Sequence, residues 1–303
     1  MFAPNAFVRE VLEVGHTLPF NRELGPPIFR GIFATPLRGG PERQDVLLSE
    51  IGELVEKRAV EAVPPGEEKA GWYGTYFLVP KKTGGWRPIL NLRPLNQLLV
   101  VEKFKMETLR NIVLAVREGE WMASLDLKDA YFHVPIIPQH RKFLRFCVQG
   151  RCYQYRVLPF GLSTSPRIFT KVLAPVMAAL RLRGFHVHPY LDDILVRAGS
   201  QELLKEALEV AQSFLELAGF IVNLPKSHLA PTQDLVFVGA RFRTDVGMVF
   251  LPDECADVIA RLVRSFPAGV YQSDELWLRL LGLMAATIQV VSEARLRMRP
   301  IQL

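Results

Sequence analysis

Sustained helical spacing of apolar residues first emerges at Leu47, Leu48, Ile51, Leu54 and Val55, after some forty residues that read as irregular. Pro64-Pro65-Gly66 ends that helix. Two strand-like runs follow, Trp72 to Val79 and Trp86 to Leu92, joined by Lys81-Lys82-Thr83-Gly84-Gly85, whose paired glycines suit a hairpin turn. The spacing then predicts a helix over Met106 to Val116, a short strand from Trp121 ending at Asp126, and a second hairpin over Phe143 to Val157. Ser165-Pro166 supplies an N-cap and a first-turn proline for a helix running toward Gly184, with a bend expected at Pro175. Phe185 to Val196 reads as strand, acidic turn, strand. Ser200 caps a helix whose face carries Leu203, Leu204, Ala207, Leu208, Ala211, Phe214 and Leu215, with Gly219 past its end. A last apolar helix is expected over Asp274 to Val290.

The 303 residues, 49% of them hydrophobic, are enough for one large or two smaller packed domains and exclude disorder as the main state. The longest nearly apolar stretch, Leu281 to Val291, is shorter than the roughly 18 residues that span a bilayer, so no membrane partner is expected. Arg9 and Glu10 stand where a signal peptide needs its apolar core. Cys147, Cys152 and Cys255 form neither a CxxC pair nor an even framework, which fits a reducing compartment, and Cys147 and Cys152 read as small apolar residues flanking a hairpin turn. A cytoplasmic or nuclear location is expected. The His186-x-His188 pair places both rings on one strand face without further ligands.

The net charge of +6 is unevenly spread. From Lys81 to Ile112 there are seven Lys or Arg against two Glu, and from Ile137 to Lys171 seven Lys or Arg with no acid. Trp86, Phe104, Phe143, Phe146, Tyr153 and Tyr155 are interleaved with these cations. Cations that track a phosphate backbone, plus aromatic platforms, suit nucleic-acid binding that ignores base sequence.

Two acidic points interrupt apolar sequence: Asp126 at a strand end, and Asp192-Asp193 within Tyr190-Leu-Asp-Asp-Ile-Leu-Val. Carboxylates placed between apolar strands need a cation to offset their desolvation. Oxygen ligands suit Mg²⁺, and two such ions about 3.5–4 Å apart are the usual device for in-line displacement at phosphorus.

Tyr190-Leu-Asp-Asp resembles the metal-binding motif of reverse transcriptases, and Ser124-Leu-Asp126-Leu-Lys-Asp-Ala-Tyr131-Phe resembles their first catalytic motif. The resemblance runs from Tyr73 to Arg243. It includes Trp86-Arg87-Pro88 through Arg93-Pro-Leu-Asn96 in the fingers and Leu158-Pro-Phe-Gly161-Leu-Ser-Thr-Ser-Pro166 beneath the template. Gly219 to Lys226 and the primer-grip segment Val236-Phe-Val-Gly239 complete it. The motif wording and Ala62-Val-Pro-Pro look most like DIRS-type retroelements, which integrate with a tyrosine recombinase.

That resemblance implies an α+β right-hand polymerase fold, with an antiparallel palm sheet backed by helices. It implies an irregular segment over 1–44, fingers and palm intertwined over 45–245, and a partial thumb or connection over 246–303. The residues after Pro252 hold too few spaced carboxylates for a ribonuclease H domain, which is expected to be absent from this chain. The implied activity is RNA-directed DNA synthesis on an RNA or DNA template with a primer, consuming deoxynucleoside triphosphates. The alternative is an inactive or truncated retroelement remnant that at most binds nucleic acid.

By the same resemblance, Asp126 and Asp192 bridge two Mg²⁺ ions, with Mn²⁺ as a substitute, while Asp193 assists and the Leu127 carbonyl completes a coordination sphere. Arg87 and one of Lys81 or Lys82 lie over the triphosphate. Asp129, Ala130, Tyr131, Phe160 and Gly161 line the nucleotide site, Tyr131 as the steric gate against a 2′-hydroxyl. Lys226 is the candidate general acid for pyrophosphate, and Val238 and Gly239 belong to the primer grip. Phe160 stands where retroviral enzymes commonly carry Gln, and Asn91 where an Asp is common.

Overall fold

The structure, a computed structural model, describes residues 5–27, 31–36, 40–80, 86–266, 269 and 271–302. In chain order its helices are α1 (Ala6–Glu13), α2 (Pro41–Glu56), α3 (Arg93–Asn96), α4 (Leu109–Ala115), α5 (Pro138–Arg141), α6 (Ser165–Leu182), α7 (Gln201–Leu217), α8 (Asp253–Arg264), α9 (Asp274–Ala286) and α10 (Ala294–Gln302). The strands are β1 (Val60–Ala62), β2 (Thr75–Pro80), β3 (Trp86–Asn91), β4 (Trp121–Asp126), β5 (Arg145–Val148), β6 (Arg151–Tyr155), β7 (His186–Tyr190), β8 (Asp193–Ala198), β9 (His228–Thr232), β10 (Asp234–Phe237), β11 (Ala240–Arg243) and β12 (Met248–Phe250). The chain passes repeatedly between two compact units, one built from 1–105, 129–179 and 219–221, the other from 106–128, 180–218 and 222–303.

In the first unit, β2 and β3 form the expected antiparallel hairpin, in register from Thr75↔Asn91 to Pro80↔Trp86. Its connecting turn, with Lys81 and Lys82, lies outside the described residues. A second antiparallel sheet has the order β1-β6-β5. There Gln149 and Gly150 both adopt positive φ, the two-residue turn whose twist matches a hairpin. Cys147 faces Cys152 across this pair, while their backbones bond outward: Thr35 N–H donates to Cys147 O and Val63 N–H to Cys152 O. Both thiols are free.

Arg145 on β5 is buried, and its guanidinium donates to the Gln154 side chain at 2.9 Å and the Glu67 carbonyl at 2.6 Å. Gly71 leaves the room: a Cβ there would lie 2.3 Å from the Arg145 side chain. Gln154 in turn donates to Glu61, which also pairs with Arg141 and Arg156. Three cations of the basic stretch after Ile137 are therefore committed to Glu61 and Glu67, acids distant in sequence. The stretch offers less free charge than its sequence count implies.

The N-terminal residues depart from the irregular reading. Asn5 caps α1 by accepting from Val8 N–H at 2.9 Å, and Val8 and Val11 are buried. Gly15, at φ +110°, lets the chain pass within touching distance of Ile137, where any Cβ would meet backbone at 2.5 Å. His16 N–H then donates to Pro135 O.

The second unit is organised on the antiparallel sheet β7-β8-β4-β9, with α7 against β8, β4 and β9. Ser200 caps α7 by accepting from Leu203 N–H; of the face expected from spacing, Leu204, Ala207, Leu208, Ala211 and Leu215 are buried, whereas Leu203, in the first turn, is exposed. Ile112 of α4, Met122, Leu195, Phe237 and Phe242 form a contiguous core beneath the sheet β10-β11-β12. His188 on β7 accepts from Arg197 at 3.1 Å and faces Glu107; burial and the Arg197 charge push its pKa down to about 4. No described helix is long and apolar enough to cross a membrane.

Candidate active site

β4 and β8 run antiparallel in the centre of the second unit's sheet, and their register ends with Asp126 opposite Asp193. The pleat and the register alone thus bring the two sequence-distant acidic points together. β7 and β8 are joined by the two-residue turn Leu191-Asp192, with Tyr190 paired to Asp193. Leu191 adopts φ +55°, a left-handed conformation that costs a residue with a Cβ about 1–2 kcal/mol. That strained turn is tied down by Leu127 N–H, which donates to Asp192 O at 2.8 Å.

Asp126 is held from the other side by the segment after α7. Asn223 Nδ2 donates to Asp126 Oδ1 at 2.7 Å and Asn223 N–H to Asp126 O at 2.8 Å. Ser227 Oγ accepts from Asp126 N–H at 3.0 Å and donates to Asn223 O at 2.9 Å. Neither Asn223 nor Ser227 stands out in the sequence. The available signal was their flanking of Pro225-Lys226 in a polar turn, which carries no information about what the turn clasps.

The electrostatics are those of grouped carboxylates. Burial, and then the Asp192 and Asp126 charges, push the Asp193 pKa from 3.8 to about 6. Asp192 is raised by burial and by Asp126. The Lys226 ammonium opposes both shifts, so its charge lies near the acids. Among the described residues no three Asp, Glu, His or Cys side chains converge on one point. The donor chemistry nevertheless fits a hard divalent ion: oxygen ligands only, and like charges whose repulsion a cation relieves. Asp126, Asp192, Asp193 and the Leu127 carbonyl are the groups that would hold it.

In the first unit, the residues expected around the nucleotide form their own cluster. Tyr131 packs against Phe160 at 5.0 Å between ring centroids and Phe169 at 5.8 Å. Phe160 remains about half exposed. Gly161 has φ +90°, and a Cβ there would press on the Leu90 carbonyl at 3.3 Å. Asn96 fixes this loop, donating to Gly161 O at 2.8 Å and accepting from Ser163 N–H at 2.9 Å. Asp129, at φ +50°, pairs with Lys57 at 3.2 Å, and Ala130 is buried. Arg87 sits on β3 in register with Val79. Val238 and Gly239, both left-handed, make the tip of the β10–β11 hairpin.

Comparison with known proteins gives a consistent result. The family described as "Reverse transcriptase (RNA-dependent DNA polymerase)" matches residues 79–242. The chain is 32% identical over 241 residues to the Gag-Pol polyprotein of Avian leukosis virus subgroup A (isolate RSA), covering 72% of this chain and 15% of that protein. It is 27% identical over 209 residues to the Genome polyprotein of Petunia vein clearing virus (isolate Hohn), covering 67% of this chain and 9% of that protein. The chain thus spans a small part of these polyproteins. Among solved structures, the foamy viral protease-reverse transcriptase dRH in complex with double-stranded DNA superposes with a TM-score of 0.72 at 21% identity, covering 94% of this chain and 47% of that one. The same viral protein in complex with RNA/DNA hybrid gives 0.71 at 19% identity, covering 98% and 42%. The α+β right-hand polymerase fold expected from sequence is the fold observed.

Proposed function

The chain belongs to the reverse transcriptase family, of retroelement or retroviral type, and on that premise we propose that it adds deoxynucleotides to a primer 3′-hydroxyl on an RNA or DNA template. The observation that carries this reading is the register of β4 and β8, which sets Asp126 against Asp193 beside the Leu191-Asp192 turn. When bound, two Mg²⁺ ions, or Mn²⁺ in their place, lower the pKa of the attacking hydroxyl and offset charge on the leaving pyrophosphate.

The chain's own groups do the remaining work. Asn223 and Ser227 fix the position of Asp126 through three hydrogen bonds, so the carboxylate does not reorganise during the reaction. Lys226 is poised as a proton source for pyrophosphate. Tyr131, wedged between Phe160 and Phe169, has the rigidity required of a gate that excludes a 2′-hydroxyl. Arg87, with Lys81 or Lys82, serves the triphosphate, while Asp129, Ala130 and Gly161 shape its site. Val238 and Gly239 serve the primer. The wording of the motifs, with Ala62-Val-Pro-Pro, further supports a DIRS-type origin.

Primer extension on an RNA template with Mg²⁺ or Mn²⁺ tests the reading. The parent should extend with deoxynucleotides, and Asp192→Asn should lose extension while keeping template binding. Equal extension by both would refute the metal assignment. Template binding without extension under any condition would favour a remnant that only binds nucleic acid.

A further inference from the structure

The β5–β6 hairpin carries a pair of thiols that the polymerase chemistry proposed above does not use. Spacing alone makes Cys147 and Cys152 small apolar residues; register makes them partners. They stand directly opposite each other, one pair removed from the Gln149-Gly150 turn.

The kind of pair they form decides what they can do. Val148 and Arg151 close the two-residue turn, and hydrogen-bonded and non-hydrogen-bonded pairs alternate along an antiparallel ladder, so Cys147 and Cys152 are a non-hydrogen-bonded pair. Their carbonyls accordingly point away from each other: Thr35 N–H donates to Cys147 O at 2.7 Å and Val63 N–H to Cys152 O at 3.0 Å. In such a pair the Cα atoms lie about 4.5 Å apart and both side chains leave the same face of the sheet. A disulfide spans Cα separations of roughly 4.4–6.8 Å, so closing one here needs no backbone movement. The next pair of the same kind, Arg145 and Gln154, already joins its side chains across the strands at 2.9 Å.

The two sulfurs differ in access. Cys147 is buried, whereas Cys152 is partly exposed. Burial, and then a hydrogen bond with the Cys152 thiol, push the Cys147 pKa up to about 12. Cys147 therefore keeps its proton and is inert toward reagents in solution, yet it touches the sulfur that those reagents reach.

We propose that Cys147 and Cys152 are a reversible oxidation site, in which Cys152 meets the oxidant and Cys147 resolves it as a cross-strand disulfide. With a peroxide, the Cys152 sulfur attacks the O–O bond and keeps one oxygen as sulfenic acid, while the other oxygen leaves with the thiol proton as water. The Cys147 sulfur then attacks the Cys152 sulfur. The S–O bond breaks, and the Cys147 proton departs with the hydroxyl as a second water. Two thiols have then given two electrons and two protons to one peroxide. An external dithiol reverses the change by exchange. The bridge fastens the turn end of the β1-β6-β5 sheet, whose other end is held by Arg145, Gln154 and Glu61. It also withholds Cys152 from the irreversible steps beyond sulfenic acid. The assignment is independent of the polymerase reading, since neither cysteine belongs to the candidate active site.

The test uses the full chain with Cys255→Ser, which removes the exposed third thiol, and hydrogen peroxide as oxidant, read by intact mass and non-reducing peptide mapping. This parent should lose two hydrogen atoms as a monomer, map to a Cys147–Cys152 link, and recover both thiols in dithiothreitol. Adding Cys147→Ser should leave Cys152 as sulfenic acid, trapped by dimedone, for at least about tenfold longer than in the parent. Adding Cys152→Ser instead should leave Cys147 unoxidised. The parent alone decides the matter if either variant folds poorly. The proposal is overturned if the oxidised parent keeps Cys147 as a free thiol while Cys152 carries sulfinic acid, or if its disulfides join separate chains. It is equally overturned if both thiols survive peroxide that fully oxidises the urea-unfolded chain.

Discussion

Neutralising Asp193 should stabilise the metal-free protein while destroying its proposed activity. In the folded chain its pKa stands at about 6 instead of 3.8, with burial the largest cause and the Asp192 and Asp126 charges next. A carboxyl displaced that far corresponds to about 3 kcal/mol at 1.36 kcal/mol per pH unit, and solvent screening of this half-exposed group reduces it to about 1–1.5 kcal/mol. The sign follows from linkage. The folded state binds the proton more tightly than the unfolded state, so this contribution is fully present below pH 3.8 and is lost as pH rises through about 6. Asp193→Asn lacks that slope. In urea denaturation with a chelator present, the variant should exceed the parent by about 1–1.5 kcal/mol at pH 7.5. The two should converge below pH 3.8, where the carboxyl is protonated in the folded and the unfolded chain alike. Saturating Mg²⁺ should raise the parent's stability more than the variant's, because the variant keeps Asp126 and Asp192 but has one carboxylate fewer to bind the ion. A variant less stable than the parent at pH 7.5, or a gap independent of pH, would refute the account of carboxylates held together against their repulsion.

Other consequences are open to measurement. Leu191→Gly should relieve the left-handed strain of the acidic turn and raise stability by up to about 1 kcal/mol in urea denaturation, whereas Leu191→Val should lower it. Asn223→Leu should reduce extension rate by about tenfold or more with primer-template affinity unchanged, since it frees Asp126 without altering the charge on the groove; an unaltered rate would show that the clasp is incidental. Arg145→Met should cost about 3–5 kcal/mol by leaving Gln154 and the Glu67 carbonyl short of donors, and Gly71→Ala should cost a comparable amount by displacing the same guanidinium. Tyr131→Val should raise ribonucleotide incorporation relative to deoxynucleotide in single-nucleotide extension, and unchanged selectivity would remove Tyr131 from the gate.

The elements most legible in the sequence are those whose cause is local. Ser200 announces its helix because a cap needs only the next turn, and the period of Leu204, Ala207, Leu208, Ala211 and Leu215 names most of the buried face of α7 before any partner is known; Ser165, expected as a cap, is instead the first residue of α6 and its hydroxyl donates to Pro159 O. The carboxylates were legible for the opposite reason: charge inside an apolar run is conspicuous wherever the run goes. What local pattern could not supply is pairing. That Asp126 faces Asp193 depends on β4 lying next to β8, and the clasp by Asn223 depends on a turn nearly a hundred residues away. Helix α1 was missed although Asn5 is a good cap, because eight residues are too few to be stable without the packing of Val8 and Val11. The charge partition failed similarly. Arg141, Arg145 and Arg156 count as free cations along the chain and are spent in space on Glu61 and Glu67.

These two failures share a lesson about where the chain stores its costs. In the first unit a buried guanidinium is surrounded by acceptors, so Arg145, Gln154 and Glu61 form a satisfied network that specifies one arrangement of β1, β6 and β5. In the second unit the costs are left standing. Leu191 is held in a conformation suited to glycine, and Asp192 and Asp193 are held against their own repulsion, with Lys226 the cation that partly offsets it. A fold selected for stability alone would place glycine at 191 and an amide at 193, changes of one residue each. That it carries neither, on a turn whose backbone is anchored by Leu127 and whose opposing acid is clasped by Asn223, is what the metal role proposed for this hairpin requires and what a turn that merely faced water would not.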